Sequence, residues 1–257
     1  MNKKLIHINI NDYPKELHLY FNYNNIYDSS CSKTAKVLYI DTGFYLKIAP
    51  KNTLKEEYLN TKWFYNYGLG VEVVKYISSD KDYLLTKEAK GQDGTHYLDD
   101  PKKLCKIYAS TLKKIHSIDI SKFNNNDKMK NYLNLLEKNY KLGKYEDYVL
   151  LKRFNIKDKE EVVEYIKNNI HKLKNDTLLH GDYCLPNIII DENDEVTLID
   201  LDHFGIGDKH IDLFWAIWSL SYNLKTEQYN DYFLELYGKE NYDEDVLKLI
   251  ACIETFG

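Results

Sequence analysis

The sequence of 257 residues predicts an α+β fold in two lobes, a β-rich first lobe with one helix and a mostly helical second lobe. Short runs rich in aromatic and β-branched residues dominate the chain up to residue 88. After "EAKGQDG" (88–94) the apolar residues recur at helical spacing instead. We therefore expect residues 1–88 and 89–257 to form separate lobes, with a ligand site in the cleft between them.

The first lobe is predicted to contain five strands and one helix. The turn signal at 41–43 ("DTG") predicts a hairpin between the second and third strands. Four apolar residues at helical spacing, followed by Gly68, predict the helix: Leu54, Tyr58, Trp63 and Tyr67. The expected ranges are 16–21, 36–41, 43–48, 71–77 and 82–87 for the strands, and 52–67 for the helix.

The second lobe is predicted to contain six helices and one small β element. Two short apolar runs, 178–190 ("LLHGDYCLPNIII") and 196–205 ("VTLIDLDHFG"), are joined by the turn-rich link "DENDE". A hairpin there would hold Asp182, Asn187 and Asp200 at one end. The helices are expected at 101–117, 127–141, 158–174, 209–222, 226–237 and 243–256.

Composition excludes several classes of protein. No apolar run approaches the roughly 20 residues that cross a membrane, and the N-terminus does not resemble a signal peptide. The four cysteines are scattered without a CxxC pair, which favours reduced thiols and a cytoplasmic location. No clustered basic motif indicates nucleic-acid binding. Residues 1–175 carry 31 Lys and Arg against 22 Asp and Glu, whereas 176–257 carry 4 against 18, so an acidic half could attract a cation unless the charges mix after folding.

The segment 178–190 carries the strongest chemical signal. An acid, an amide five residues later and a second acid beyond a predicted strand pair match the phosphoryl-transfer parts of protein kinases. Asn187 and Asp200 offer the oxygen ligands that Mg²⁺ prefers, and Asp182 could accept a hydroxyl proton. The alternative is chance, because acids and asparagines are frequent in this chain.

A lysine in a predicted strand adds to this signal. Lys47 lies among apolar residues in "FYLKIAP", and an acid on the following helix could pair with it to place the ammonium on nucleotide phosphates. Glu57 or Glu56 could be that acid, and an unpaired surface lysine is the alternative. "DSSCSKTAKV" (28–37) stands where a glycine-rich phosphate loop would be, and no GxxxxGK[ST] motif indicates a P-loop NTPase.

Together these residues resemble the aminoglycoside 3′-phosphotransferases, within the antibiotic and choline kinases that share the protein-kinase fold. The resemblance covers nearly the whole chain and rests on "HGDYCLPN", "LIDLDHFGIGDKHIDL", "YLK", the helix from Glu57 to Trp63, "LLTKEAKG", "LKKIHSIDIS" and the ending "ETFG". It implies a protein-kinase-like two-lobe fold, with residues 1–88 as the nucleotide-binding lobe and 89–257 as the catalytic and substrate-binding lobe.

The resemblance also implies a role for each site residue. Asp182 would be the catalytic aspartate near the acceptor hydroxyl, Asn187 and Asp200 would bind Mg²⁺, and Lys47 would contact phosphates while paired with Glu57. The implied nucleotide-binding residues are Ser32, Tyr45, Lys47, Lys87, Ala89 and Ile199. The implied substrate-binding residues are Asp182, Glu254 and Thr255.

The chain departs from the family pattern in three places. Asp202 and His203 stand where the metal motif usually continues as Gly-Arg, and Thr255 replaces the second acid of the C-terminal pair. Where the family has an acidic, substrate-gripping segment, this chain has Trp218, Tyr222 and Asn223.

The expected activity is transfer of the γ-phosphate of ATP, with GTP not excluded, to a hydroxyl of an aminoglycoside, with Mg²⁺ as cofactor. The departures leave open a kinase of another small hydroxylated metabolite, such as choline, a sugar or a nucleoside. A pseudokinase that only binds nucleotide is a third reading, disfavoured by the joint presence of Lys47, Asp182, Asn187 and Asp200. We expect a cytoplasmic monomer or homodimer with a small cationic substrate and no nucleic-acid or membrane partner.

Overall fold

The computed structural model describes residues 3–31, 34–123 and 128–257. The chain divides into two compact units. The first comprises residues 1–91 and 195–202, and the second comprises 92–194 and 203–257. Residues 195–202 join the first unit through the backbone, because Leu198 N donates to Leu69 O at 2.7 Å. The segment that precedes and contains Asp200 is therefore part of the β-rich unit, although it lies late in the sequence.

The first unit is built on a six-stranded antiparallel sheet with strand order β1-β2-β3-β4-β6-β5. The predicted hairpin is confirmed: Ile40 pairs with Phe44, and Gly43 takes a φ of +88°, where glycine has no steric penalty. The strands are β1 (Lys4–Ile6), β2 (Ile26–Asp28), β3 (Lys36–Ile40), β4 (Phe44–Pro50), β5 (Val73–Ser78) and β6 (Lys81–Lys87).

The strand predicted at 16–21 is wrong. Residues Lys15–Leu17 form a 3₁₀ turn and His18–Phe21 form a short helix, α1. Leu17 and Phe21, four residues apart, both point into the apolar core of the first unit, which is a helical spacing. A strand would place Leu19 on the same side as Leu17, but the Leu19 side chain is exposed.

The first long helix, α2 (Lys55–Asn66), confirms the helix predicted at 52–67, but its buried face differs from the one that the apolar spacing indicated. Its buried residues are Glu57, Asn60, Thr61 and Phe64. When a helix buries three polar side chains, each of them needs a hydrogen-bond or ion-pair partner. Asn60 Nδ2 donates to Leu201 O at 2.9 Å, and Thr61 Oγ1 donates to Glu57 O at 2.7 Å.

Asp82 joins the sheet to the start of α2. Its carboxylate is buried and accepts hydrogen bonds from Leu54 N at 3.0 Å, Tyr76 Oη at 3.1 Å and Ser78 Oγ at 2.6 Å. Burial alone would raise the pKa of Asp82, but these donors outweigh it and lower the pKa.

The second unit is mainly helical, and all six predicted helices are present. Helix α3 packs on α7, while α8 packs on both α5 and α6. Its longer helices are α3 (Pro101–His116), α4 (Lys128–Lys141), α5 (Lys159–Asn169), α6 (His210–Leu224), α7 (Asn230–Tyr237) and α8 (Glu244–Glu254). None of the described helices is both long and apolar enough to span a bilayer.

The hairpin predicted at 178–205 is present as β9 and β10, which are neighbours in a three-stranded sheet. Two further short strands, β8 and β11, lie on either side of it in the sequence, and a two-residue strand, β7 (Gln92–Asp93), precedes them. In the second unit β8 pairs antiparallel with β11, and β7 pairs antiparallel with β9. The prediction missed β11 because "GIG" lacks the apolar run on which it relied. The strands are β8 (Thr177–Leu179), β9 (Ile188–Ile190), β10 (Val196–Leu198) and β11 (Gly205–Gly207).

We expect Asp82→Ala to lower the free energy of unfolding by about 2–4 kcal/mol, since it removes an acceptor from three donors at a helix start. Because the folded pKa is lowered, the stabilisation is complete above the unfolded pKa of about 3.9 and disappears as the pH falls below it. Denaturant titrations at pH 7 and pH 3 measure both effects. Asp80→Ala, at an exposed neighbour, is the control and should cost under about 0.5 kcal/mol; an equal loss in the two variants would contradict this role.

Candidate active site

Lys47 is held between two carboxylates in the first unit. Its Nζ donates to Asp200 Oδ1 at 2.7 Å and lies 2.8 Å from Glu57 Oε2. The contact with Glu57 is an ion pair with a mostly buried carboxylate. The predicted partner Glu57 is therefore present, whereas Glu56 is exposed. Strand β4 supplies the lysine, α2 supplies the glutamate, and the segment after β10 supplies the aspartate.

In this cluster, burial and neighbouring charges shift each pKa in opposite directions. Burial alone would lower the pKa of Lys47, but Glu57 and Asp200 outweigh it and raise the pKa, so the ammonium stays charged. Burial raises the pKa of Glu57 to about 7, and Lys47 offsets only part of that rise. Asp200 is the more exposed acid, with 46% of its side chain accessible. Its φ of +59° is uncommon outside glycine, and such strain clusters at functional sites.

The other residues predicted to bind nucleotide are spread over the first unit. Tyr45 lies on β4 two residues before Lys47, hence on the same face of the sheet, and its ring is 5.0 Å from that of Tyr39. Lys87 ends β6 and pairs with Glu72 at 2.7 Å. Ala89 follows β6 and Ile199 follows β10, both partly buried. Ser32 lies outside the described residues.

The segment from Asp182 to Asn187 forms a closed loop between β8 and β9. Asn187 Nδ2 donates to Asp182 Oδ2 at 2.9 Å and to Asp182 O at 3.0 Å. The five-residue spacing therefore lets the amide orient the acid. Since the amide nitrogen is used in this way, the side-chain oxygen of Asn187 is the atom left for a cation.

Asp212, which the sequence reasoning missed, anchors this loop to α6. Its buried carboxylate accepts from His180 N at 2.8 Å, Gly181 N at 2.7 Å and His116 Nε2 at 3.1 Å. His116 Nδ1 in turn lies 2.8 Å from Tyr237 Oη. Burial alone would raise the pKa of Asp212, but His116 and the backbone donors lower it. The available signal was an acid within the apolar stretch "HIDLFWAIW".

Two further features fix the loop. Tyr108 on α3 and Tyr183 are fully buried, their rings stack at 4.6 Å, and each hydroxyl donates to the other's backbone carbonyl. Gly181 has a φ of +90°, and a Cβ there would lie 2.0 Å from His203 O. The position therefore requires glycine on two grounds. Together these contacts hold Asp182 in one backbone position.

The two C-terminal residues predicted to bind substrate differ in their surroundings. Glu254 accepts a hydrogen bond from Tyr132 Oη at 2.7 Å, and burial raises its pKa to about 7. Thr255 is 1% exposed, and its hydroxyl donates to Cys252 O at 2.7 Å within the helix. The Thr255 side chain is therefore buried and hydrogen-bonded within the protein, and a substrate cannot contact it.

Asn187 and Asp200, the two residues predicted to bind a metal, both carry oxygen donors, which suit Mg²⁺ better than a transition metal. Among the residues that the structure describes, no three His, Cys, Asp or Glu side chains form a metal-binding group. Asp200, in the first unit, offers a carboxylate oxygen, and Asn187, in the second unit, offers an amide oxygen. Each is a hard ligand of the kind that Mg²⁺ prefers.

Comparisons with known proteins agree with this chemistry. The model of the phosphotransferase enzyme family matches residues 33–249. A probable aminoglycoside 3′-phosphotransferase of Lactococcus lactis subsp. lactis is 43% identical over 262 residues, covering 100% of this chain and 99% of the relative.

Solved structures show the same fold. An aminoglycoside 3′-phosphotransferase of type VIII superposes with a TM-score of 0.72 at 16% identity, covering 99% of this chain and 94% of that one. The aminoglycoside phosphotransferase APH(3″)-Id of Streptomyces rimosus, in complex with ADP and streptomycin, gives 0.70 at 18% identity, with 86% and 90% covered.

We expect Asp212→Asn to lower the turnover number for phosphoryl transfer by roughly tenfold to a hundredfold, because an amide NH₂ would face a backbone N–H that the carboxylate now accepts. Asp212 acts through the loop, so KM for the nucleotide should change less than twofold. Tyr237→Phe is the control: it removes a hydroxyl that contacts His116 and leaves the three bonds to Asp212, so steady-state kinetics should show a small effect. Equal losses in both variants would contradict the anchoring role.

Proposed function

This chain belongs to the phosphotransferase enzyme family and, within it, to the aminoglycoside 3′-phosphotransferases, and on that premise we propose that it moves the γ-phosphate of ATP to the 3′-hydroxyl of an aminoglycoside. The observation that carries the proposal is the lysine held by two acids: Lys47 with Glu57 and Asp200 at 2.8 and 2.7 Å. This is the arrangement that protein kinases use to place an ammonium on nucleotide phosphates.

The proposed mechanism assigns one task to each residue. Lys47 neutralises charge on the nucleotide phosphates, and Glu57 keeps its ammonium in place. Asp182 accepts a hydrogen bond from the acceptor hydroxyl and orients that oxygen for in-line attack on the γ-phosphorus. The hydroxyl proton passes to the Asp182 carboxylate as the new P–O bond forms and the bond to the β-phosphate oxygen breaks. Most of the rate acceleration then comes from positioning and charge stabilisation.

We assign the metal to Asn187 and Asp200, whose oxygens suit Mg²⁺. When bound, Mg²⁺ supplies positive charge that offsets the charge developing on the phosphates. Asn187 keeps its role of orienting Asp182 through the amide nitrogen. Lys47 now donates to Asp200 Oδ1, so we expect this contact to lengthen or shift when nucleotide arrives.

We assign the adenine to four residues of the first unit. Tyr45 would stack on the base, Ile199 would lie under it, and the backbones at Lys87 and Ala89 would meet its edge. The Lys87 side chain pairs with Glu72, which is compatible with a backbone role for that residue. Ser32 would approach the phosphates in place of a glycine-rich loop. GTP remains a possible donor on these residues.

The activity for which the relatives are named supports an aminoglycoside as the acceptor. The Lactococcus lactis relative is named for the 3′ activity and matches this chain over its full length, which favours the same hydroxyl. Asp182 and Glu254 are the acids we assign to the cationic acceptor. A kinase of another hydroxylated metabolite is the second candidate, favoured by Trp218 and Tyr222 in place of the family's acidic segment and by the buried Thr255 side chain.

We also assign a role to each lobe, a cellular location and an oligomeric state. Residues 1–88 form the nucleotide-binding lobe, and 89–257 form the catalytic and substrate-binding lobe. The enzyme works in the cytoplasm as a monomer or homodimer. Its activity would confer antibiotic resistance, because an added phosphate brings negative charge and bulk to the drug.

We expect Asp182→Ala to abolish phosphorylation of kanamycin, because the acceptor hydroxyl loses the group that orients it. ADP release from purified protein with ATP, Mg²⁺ and kanamycin measures this, and circular dichroism checks folding. Asp176→Ala, at an exposed acid before β8, should retain turnover within about twofold. Turnover in Asp182→Ala above a tenth of the wild-type value would refute the assignment, and no turnover by wild-type enzyme across an aminoglycoside panel would favour the metabolite kinase.

Lys47→Met should raise KM for ATP and lower the turnover number, together costing roughly a thousandfold in kcat/KM for ATP, because it removes the phosphate-binding charge and leaves Glu57 buried without it. Initial rates at varied ATP concentration measure the change. Lys75→Met, on β5, is the matched strand-lysine control and should keep both constants within about twofold. Similar losses at the two lysines would mean that Lys47 serves stability alone.

A further inference from the structure

Three side chains from distant parts of the sequence meet at one end of the sheet in the first unit. We call them the Lys3 cluster: Lys3, Tyr39 and Glu88. Lys3 immediately precedes β1, Tyr39 lies in β3, and Glu88 immediately follows β6. Neither the proposed mechanism nor the family pattern gives any of the three a role.

Each member of the Lys3 cluster contacts the other two. Lys3 Nζ lies 3.2 Å from the centroid of the Tyr39 ring and donates to Glu88 Oε1 at 3.4 Å. Tyr39 Oη donates to the other carboxylate oxygen, Glu88 Oε2, at 3.0 Å. The carboxylate therefore accepts from both neighbours, while the ammonium also contacts the ring face.

The Lys3 cluster is too exposed to act mainly as a stabilising ion pair. The accessible fraction is 31% for the Lys3 side chain and 37% for the Glu88 side chain. Ion pairs at such positions contribute little to the free energy of folding, because water and salt screen them. What the contacts do supply is a fixed orientation for the groups next to them.

Tyr39 is the middle ring of an aromatic row that crosses three strands. Tyr27 on β2, Tyr39 on β3 and Tyr45 on β4 lie opposite one another in the register, so their side chains share one face of the sheet. The ring centroids of Tyr27 and Tyr39 are 6.1 Å apart, and those of Tyr39 and Tyr45 are 5.0 Å apart.

The ring assigned to stack on the base is therefore in contact with the Lys3 cluster. Tyr45 packs against Tyr39, and Lys3 Nζ lies 5.3 Å from the centroid of the Tyr45 ring. Aromatic rings in contact favour particular relative orientations. A Tyr39 ring that is held by Lys3 and Glu88 thus restricts the orientation of Tyr45.

Glu88 connects the cluster to the second group of assigned base contacts. It lies between Lys87 and Ala89, whose backbones we assign to the edge of the base. Its own N–H donates to Gly43 O at 2.9 Å, and its side chain is bound by the other two members of the cluster. One cluster therefore restrains both the ring assigned to the face of the base and the segment assigned to its edge.

We propose that Lys3, Tyr39 and Glu88 are positioning residues for the nucleotide base, which hold Tyr45 and residues 87–89 in the geometry that a purine ring needs. This inference rests on the proposed function, in which ATP supplies the phosphate, and it specifies what orders the site for the base. A site that is already ordered binds its ligand more tightly, because less conformational entropy is lost on binding. Loss of the cluster should therefore weaken base binding and leave the phosphate contacts unchanged.

Calorimetric titration with ADP and Mg²⁺, without any acceptor, tests the proposal. Glu88→Gln and Tyr39→Phe should each raise the dissociation constant for ADP roughly three- to fivefold. Tripolyphosphate has no base, so its dissociation constant, measured in competition with ADP, should stay within about twofold of the wild-type value. Equal weakening of ADP and tripolyphosphate would show a general effect on the first unit and overturn the positioning role.

A double-variant cycle tests whether the cluster acts as a unit. Lys3→Met and Glu88→Gln each remove one charge of the same pair, so the double variant should bind ADP within about twofold of the weaker single variant. Lys4→Met, at the adjacent exposed lysine, is the control and should leave the dissociation constant within about 1.5-fold of wild type. Losses that multiply in the double variant would indicate two independent effects and overturn the cluster.

Steady-state kinetics separate positioning from a merely structural role. KM for ATP should rise roughly three- to fivefold in Tyr39→Phe, while the turnover number stays within about twofold, because the ring remains and only its hydroxyl is lost. Its melting temperature, followed by circular dichroism, should stay within about 3 °C of wild type. A lower melting temperature with normal ADP binding would mean that the cluster serves stability alone.

The failure of this inference can be told apart from the failure of the proposed function. Kanamycin phosphorylation by the wild-type protein, with unchanged ADP binding in all three single variants of the cluster, would overturn the positioning role and spare the function. Weakened ADP binding in the variants, with no aminoglycoside phosphorylated by the wild type, would support the positioning role and refute the acceptor. A wild-type protein that binds no ADP would overturn both.

Discussion

A single buried carboxylate, that of Asp212, holds the backbone of the loop that contains Asp182. Asp212 lies in the most apolar helix of the second unit, and it keeps its charge because three donors converge on it. Two of those donors are the backbone amides of His180 and Gly181, so the charge is coupled directly to the path of the chain before Asp182. A buried charge that lost these partners would be strongly destabilising, which makes the anchored geometry the favoured one. Asn187, Gly181 and the stacked rings of Tyr108 and Tyr183 further restrict the conformation of this loop.

The first unit contains the opposite case, a partly buried cation held by two acids. Lys47 would be costly in a half-buried strand without Glu57 and Asp200, and Glu57 would be costly on a buried helix face without Lys47. The same face of α2 carries Asn60, which binds Leu201 O and so fixes the backbone beside Asp200. One polar helix face thus positions two of the groups around the lysine.

Much of this could be predicted from the sequence, for identifiable reasons. Helices α3 to α8 have long apolar periodicity, and Lys47, Asp182 and Asn187 occur in motifs whose spacing reflects local geometry. The short helix α1 was predicted as a strand because a run of six residues is too short to distinguish helical from strand periodicity. Asp212, Asn60 and the tyrosine pair were missed because their partners are distant in sequence, and no local pattern predicts a buried polar contact. Thr255 occupies a motif position, but its surroundings decide that its side chain points inward.

The central claim is that the protein, through Asp182 in this anchored loop, phosphorylates the 3′-hydroxyl of an aminoglycoside. The most direct measurement is NMR of kanamycin after incubation with the purified enzyme, ATP and Mg²⁺. The account predicts one new phosphate ester, with phosphorus coupled to the proton on C3′. Phosphate on another hydroxyl would contradict the assigned regiochemistry, and unmodified kanamycin recovered with active, nucleotide-binding enzyme would contradict the account itself.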